Sequence, residues 1–359
     1  MSNPLLDFSE LPRFAEIKNE HITPAIETLL NENRMVIEKL RAGQDVPTWQ
    51  NFVQPMVDAS ERLSRAWGQV AHLNAVMNSS QLREIYNANL PLITQFYAEL
   101  SQDLLLFEKF KQLRASVEFG QLSSARKKII DNELRDFRLG GAELPSDKKQ
   151  RFLQIQEELS GLSSKFNDNL LDATNAYSLL IEDEKALSGI PADVLQTAKE
   201  SAEADFKTGW KFTLHMPSYL PVLQYADNRE LRERMYRAYA TRASEFDSQT
   251  GAERDNMPLI NRILELRQEA AQMLGYENYA EVSLATKMAT SPQQVLDFLG
   301  KLAAKAKPYA EQDLQALKQF AAERLDLPIL EAWDLTYVSE KLREERYAFS
   351  DQEVKQYFP

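Results

Sequence analysis

Cysteine is absent from this 359-residue chain, which excludes disulfides, thiolate metal ligands and thiol nucleophiles together. Histidine is almost as scarce, with only His21, His72 and His215. A zinc-hydrolase helix needs two imidazoles four residues apart, so that both face one ion, and a glutamate beside the first as base. The contexts "HITPA", "HLNAV" and "HMPSY" lack that spacing. No G-x-S-x-G elbow, Walker sequence or G-x-G-x-x-G loop occurs either, so serine-hydrolase and nucleotide-binding devices of those kinds are unsupported. No apolar run reaches membrane-spanning length, and "MSNPLLDFSELPRF" has neither a basic n-region nor an apolar h-region. With no cysteine to oxidise, the expectation is a soluble cytoplasmic protein with no membrane partner.

Glycine is limited to 11 residues, while Leu, Ala, Glu, Lys, Gln and Arg abound. These side chains lose little freedom in a helix and glycine would weaken it, so a mainly α fold is expected. The formal charge of −12 repels phosphate backbones and disfavours nucleic acid as a partner.

The helical signals run along the chain. In 23–43, Thr23 reads as a cap, Pro24 as the first helical residue and Gly43 as the end, with Ile26, Leu29, Leu30, Val36, Ile37 and Leu40 on one face. A second helix is predicted near 48–77, kinked or restarted at Pro55. One or two more follow over 79–116, with Pro91 as a possible break. Another starts near Ser123 and ends at "RLGGAELP", and one runs from Ser146 to Thr174. The period then changes. "YSLLIED" (177–183) and "WKFTLHM" (210–216) read as strands, the second alternating Phe212, Leu214 and Met216 against Lys211, Thr213 and His215. A helix near 191–205 separates them, so a small two-stranded antiparallel β element is expected beside the helices. "MPSYLP" reads as a turn, and Asp227 as a cap with Glu230 three residues on. Further helices are predicted at 228–244, at 258–274 and from 291 onward. "SQTGAERDN" (248–256) is the most loop-like segment. The whole of 1–359 is expected to form one helical lobe: helices over 1–175, the β element and its helix over about 176–217, and helices over 227–359.

Each candidate chemical group has a plainer structural reading. His72 sits on a helix near apolar residues as a structural histidine, His215 faces solvent from a strand, and His21 lies at the surface before a cap. "ELRDF" (133–137) and "LIEDE" (180–184) could lend carboxylates to a site, yet solvated element ends explain them better. "RKK" (126–128) and "DKKQR" (147–151) read as wet helix faces, and "MYRAY" (235–239) as helix packing. No position is assigned a catalytic, cofactor-binding or metal role.

One stretch carries more information as a whole than any single residue does. "GYENYAEVSLATKM" (275–288) followed by "SPQQVLDFL" (291–299) resembles the thimet oligopeptidase and neurolysin family of zinc endopeptidases. The likeness extends through "NPLL", "LPRF", "TPAI", "ELRDFRLGGAELP", "NLLDATNAYSLLIED", "MPSYLPVLQYADNRELRERMYRAYATRAS" and "AWDLTYVSEKLREERYAFSDQEVKQYFP". The resemblance implies metal-assisted hydrolysis of short peptides, with zinc polarising the scissile carbonyl and its bound water. It also implies that the His-Glu-x-x-His helix belongs to a region beyond Pro359. This sequence is therefore expected to be the N-terminal, channel-forming part of such an enzyme, with no cofactor of its own and inactive alone. Its partners would be a catalytic lobe and short peptides. A stand-alone helical module that holds peptides without cutting them is the competing reading. The opening stretch itself reads as scaffold. Gly275 ends one helix, Ser291 and Gln294 form a capping box, Pro292 takes the first helical position, and Val295, Leu299 and Leu302 continue the apolar stripe. Tyr276, Tyr279, Val282 and Leu284 read as packing groups.

Overall fold

The computed structural model describes residues 3–247, 251–348, 351–355 and 357. The architecture is mainly α, with one two-stranded antiparallel sheet among the described residues. The chain divides into two compact units, Met1–Ser164 with Arg262–Lys287, and Lys165–Asn261 with Met288–Pro359.

The first unit opens with α1 (Asn19–Ala42), α2 (Gln54–Val76) and α3 (Ser80–Ser101). Their shared stripe buries Ile26, Leu29, Leu63, Val70, Ile93 and Phe96. α1 begins four residues before the expected cap, because Ile22 belongs to the same buried face as Ile26. His21 Nδ1 accepts the Lys18 N–H at 3.1 Å, so this histidine closes the helix start. Thr23 lies inside the helix and accepts instead from the Asn89 side chain at 2.8 Å. Pro55 does mark a restart: a π-turn at Trp49–Val53, capped by Thr48, precedes α2. Pro91 does not interrupt α3, since Leu82 on one side of it and Ile93 and Phe96 on the other are buried in the same cluster. The break comes later, at Asp103, whose carboxylate caps α4 (Leu104–Arg114).

After α5 (Val117–Gln121), α6 (Ser124–Leu139) packs on α4 through an aromatic knot. Phe52 and Phe110 meet edge-on at 4.8 Å, and Phe107 and Phe110 each stand 5.6 Å from Phe137. The opening residues of α7 (Ser146–Ala176) bury Phe152 and Ile155 against Leu266 and Ala270. Two forked ion pairs flank that contact. Arg151 holds Glu269 at 2.7 and 2.6 Å, and Arg262 holds Glu158 at 2.6 and 3.0 Å.

In the second unit β1 (Leu179–Ile181) pairs with β2 (Trp210–Phe212), Leu179 opposite Phe212 and Ile181 opposite Trp210. Each strand is shorter than expected. The alternation stops after Leu214, because Met216 is exposed and starts a helix. α8 (Ala192–Ala204) covers β2. "MPSYLP" is not a turn but the start of α9 (Met216–Tyr225), which buries Tyr219, Val222 and Leu223. Asn228, not Asp227, caps α10 (Arg229–Ala240) by accepting the Leu231 N–H at 3.2 Å. Of the predicted loop 248–256, residues 251–254 form a single 3-10 turn and 248–250 lie outside the described residues.

α11 (Met257–Met273) ends at Gly275 in a left-handed turn, φ +82°, where the Tyr276 and Gly275 N–H groups donate to Ala271 and Gln272 carbonyls. That double closure is the Schellman arrangement. α12 (Tyr279–Leu284) was not anticipated and is capped by Asn278. In it Tyr279 is exposed beneath the Arg267 guanidinium, 4.8 Å from the ring. α13 (Pro292–Arg324) starts as expected, with Ser291 Oγ accepting from Gln294 N–H at 3.2 Å. The Gln294 side chain returns to the Thr290 N–H, one residue before the predicted partner. α14 (Leu335–Tyr347) and α15 (Asp351–Lys355) follow.

Two glycines separate backbone necessity from tolerance. Gly189 has φ +87°, and a Cβ there would lie 2.2 Å from the Tyr225 carbonyl oxygen. Gly161, within α7, would present a Cβ to open space. Gly189→Ala is expected to cost at least about 2 kcal/mol. Gly161→Ala is expected to stabilise by about 0.5–1 kcal/mol. Urea unfolding of the two variants should therefore shift in opposite directions.

Candidate functional site

The second unit carries a cleft of about 690 Å³ between α8, the end of β2 and the start of α9, within the size range of small-molecule sites. Its floor is apolar, from Val194, Ala198, Leu220 and Pro221. Charged groups at its edge are already paired. Lys355 donates to Asp193 at 3.1 Å, and Lys211 to Asp205 at 2.7 Å. The hydrogen bond from Lys211 holds the Asp205 carboxyl below the ordinary aspartate range. His215 is exposed at the mouth, where its carbonyl accepts the Ser218 and Tyr219 N–H groups that begin α9. Ser218 Oγ accepts the Thr213 N–H at 2.9 Å. A base oriented on a nucleophile, the arrangement that covalent hydrolysis requires, is not formed by these groups.

A denser electrostatic feature fixes the same unit. Asp334 is 0% exposed and Arg232 1%. Arg232 donates to Asp334 at 2.7 Å and, through its other terminal nitrogen, to the Ala226 carbonyl at 2.7 Å. Arg229 forks onto the same carboxylate at 2.7–3.1 Å. The Glu331 N–H adds a further bond at 3.0 Å. Burial pushes the Asp334 carboxyl up, but the bonds from Arg229 and Arg232 outweigh it and leave the group below its ordinary value. Tyr337, one turn on, donates to Asp227 at 2.9 Å and lies under the Arg232 guanidinium at 4.1 Å. Burial and that acceptor raise its hydroxyl to about 12. Gln224 donates to buried Glu340 at 3.0 Å. Together these contacts lock α14 onto α9 and α10. The sequence offered one signal for them, an aspartate enclosed by Trp333 and Leu335 downstream of an arginine-rich helix, and sequence reasoning passed over it.

The residues weighed from the sequence are not brought together. His21 closes α1, His72 is exposed on α2 with its ring 5.4 Å from Phe14, and His215 lies at the cleft mouth. Among the described residues no three His, Asp or Glu side chains converge on a point that could hold a metal ion. In "ELRDF", Arg135 forks onto Asp136 at 2.8 and 3.1 Å, while burial and then Asp136 raise the Glu133 carboxyl. In "LIEDE", Asp183 caps a 3-10 turn by accepting the Lys185 N–H. Arg126 of "RKK" lies over Trp49, and Lys149 of "DKKQR" donates to the Gln102 carbonyl. In "MYRAY", Tyr239 stacks on Tyr219 with ring centres 4.1 Å apart and carries the Arg242 guanidinium on its other flank. Burial and then its two neighbouring tyrosines push the Tyr219 hydroxyl to about 12.

Comparison with known proteins bears out the resemblance. Residues 26–149 match the neurolysin/thimet oligopeptidase N-terminal domain, and residues 222–359 match peptidase family M3. The chain is 47% identical over 359 residues to oligopeptidase A of Haemophilus influenzae, covering all of this chain and 52% of that protein. It is 44% identical to oligopeptidase A of Escherichia coli, covering 53% of it. A probable cytosolic oligopeptidase A of Arabidopsis thaliana is 39% identical over 368 residues, covering 99% of this chain and 51% of that protein. The chain thus spans about half the length of the curated relatives it matches. Among the described residues no helix is long and apolar enough to cross a membrane.

The Asp334 anchor sets a pH dependence. A carboxyl lowered by folding contributes stability that is complete above its ordinary value of 3.8 and is lost as pH falls through the lower folded value. Asp334→Asn is expected to lower the melting temperature at pH 7 and to flatten the decline between about pH 5 and pH 3. Thermal melts at stepped pH would check both, and an unchanged slope would remove Asp334 from the account.

Proposed function

We propose, with the similarity to oligopeptidase A as premise, that this chain is the channel-forming part of a zinc endopeptidase acting on short peptides in the cytoplasm. Its helices and cleft would confine an unfolded peptide, and their narrowness would exclude folded proteins. The hydrolytic groups would come from the half of the relatives that this chain does not span, which would pack against it as a catalytic lobe. Zinc, once bound there, would act as a Lewis acid on the scissile carbonyl and its attacking water. The described residues do not fit that ion: His21 is engaged in its helix start, and no three His, Asp or Glu side chains among them converge on a point. No step of the reaction is assigned to them.

The observation that carries this reading is colinear similarity along the whole chain. The competing reading, a peptide-holding module without catalysis, draws on the paired edges and apolar floor of the cleft. The purified chain is expected to bind no stoichiometric zinc and to leave a quenched fluorescent octapeptide intact. One zinc per chain, with chelator-sensitive cleavage, would overturn the proposal. Saturable peptide binding without turnover, abolished by a bulky substitution such as Ala198→Trp in the cleft floor, would favour the module.

A further inference from the structure

Of the carboxylates in "ELRDF", Glu133 stands where the fold would ordinarily place an apolar side chain. It follows buried Ile130 by three residues and precedes buried Phe137 by four, so the three share one face of α6. Arg135 is the cation that acts on it, yet Arg135 is turned elsewhere. Its Nε and one terminal nitrogen bond to Asp136, and the other terminal nitrogen bonds to Asn132. Burial and then Asp136 raise the Glu133 carboxyl above its ordinary value, against a smaller opposing pull from Arg135. Among the described residues no donor bonds to this carboxylate.

Glu133 lines a cavity of about 550 Å³ formed with α2 and α3 of the same unit. Met56, Val57 and Leu100 give it apolar walls. Ser60 of α2 and Tyr97 of α3 line it too, and neither hydroxyl bonds to a protein group among the described residues. Burial alone raises the Tyr97 hydroxyl. Glu61, also in the lining, is already paired with Arg65 at 3.4 Å. No described lysine or arginine lines the cavity. Three polar groups from three helices thus open onto one space without partners, and its charge is negative.

We propose that this cavity is a binding site for a small organic amine, its ammonium on Glu133 and its apolar body against Met56, Val57 and Leu100. A carboxylate half removed from water is stabilised by a cation that brings its own donors. An ammonium carries three N–H donors and no acceptor. One serves Glu133, and the oxygens of Ser60 and Tyr97 are acceptors for the others. The apolar walls separate such a ligand from a bare metal ion, which would gain nothing from them. The site goes beyond the proposed activity and stands or falls separately from it.

The test is ligand-observed NMR on the full chain with hexylammonium as probe, and 1-hexanol and hexanoate as matched controls. Hexylammonium is expected to bind with a dissociation constant of about 1–10 mM. Hexanol should bind about tenfold more weakly, and hexanoate not at all. Glu133→Gln is expected to weaken hexylammonium about tenfold or more while leaving hexanol unchanged, and Tyr97→Phe to weaken it about two- to fivefold. Glu27→Gln, an exposed acid outside the cavity, should change nothing, which separates the site from general attraction to a chain of net charge −12. Binding needs the ionised carboxylate, so acidification should weaken it at a pH above the ordinary glutamate value of 4.5. Asp136 and Arg135 on α6, Glu61 on α2 and Tyr97 on α3 are the groups that set that pH. Without probe, Glu133→Gln is expected to melt at the same or a higher temperature, since no protein donor depends on the carboxylate. Equal binding of the three probes, hexylammonium binding indifferent to Glu133→Gln, or a melting temperature lowered by that change overturns the proposal.

Discussion

A carboxylate removed from water must be surrounded by donors or it will not stay ionised. Asp334 meets that condition with two guanidiniums and a backbone N–H, and the second unit is organised by how those donors are delivered. Arg229 and Arg232 lie three apart on α10, so both reach the same side. The burial of Arg232 is helped by its other terminal nitrogen, which donates to the Ala226 and Asp227 carbonyls at the end of α9, while its Nε is buried without an acceptor. Tyr337 and Glu340 then follow Asp334 at helical spacing and grip Asp227 and Gln224. One charge thus fixes the angle at which three helices meet. Removing one partner from such a group costs about 3–5 kcal/mol, whereas replacing the whole group by apolar residues can cost nothing. Its value lies in specifying a single arrangement.

That arrangement explains the contrast between the cleft and the rest of the unit. The cleft stands on α9, whose inner face is held by Asp227, Ala226 and Gln224, so its floor is presented on a rigid element. Its charged edge is satisfied by lysine–aspartate pairs that are exposed and individually weak. The exposed pairs at the edge are therefore the weak part of the unit, and the buried contacts beneath are the strong part.

The fold class and most helices were legible because their cues are local. Ser123, Ser291 and Gly275 act within one turn of themselves, and the strand alternation around Phe212 is a two-residue pattern. The misreadings share a cause: a tertiary partner outweighed the local cue. Ile22 drew α1 past Thr23, the cluster around Phe96 carried α3 through Pro91, and buried Tyr219 and Val222 turned "MPSYLP" into helix. Asp227 was read as a cap because its spacing to Glu230 fits one, but Tyr337, 110 residues away, claims its carboxylate. The cleft was not foreseen for the same reason, since its walls come from 193–225 and Lys355. Resemblance pointed to the enzyme class through the order of many segments, which no individual side chain could have done. The three histidines were read as lacking a common site, and the structure places each in a different local role.

The central claim is that Arg232 and Asp334 act as one unit in holding α14 to α9 and α10. A double-mutant cycle with Arg232→Met and Asp334→Leu, followed by urea unfolding through tryptophan fluorescence, tests it most directly. Each single change should be strongly destabilising, and the pair together should cost little more than either alone, a coupling of at least about 2 kcal/mol. Costs that add to within about 0.5 kcal/mol would show two independent residues and contradict the account.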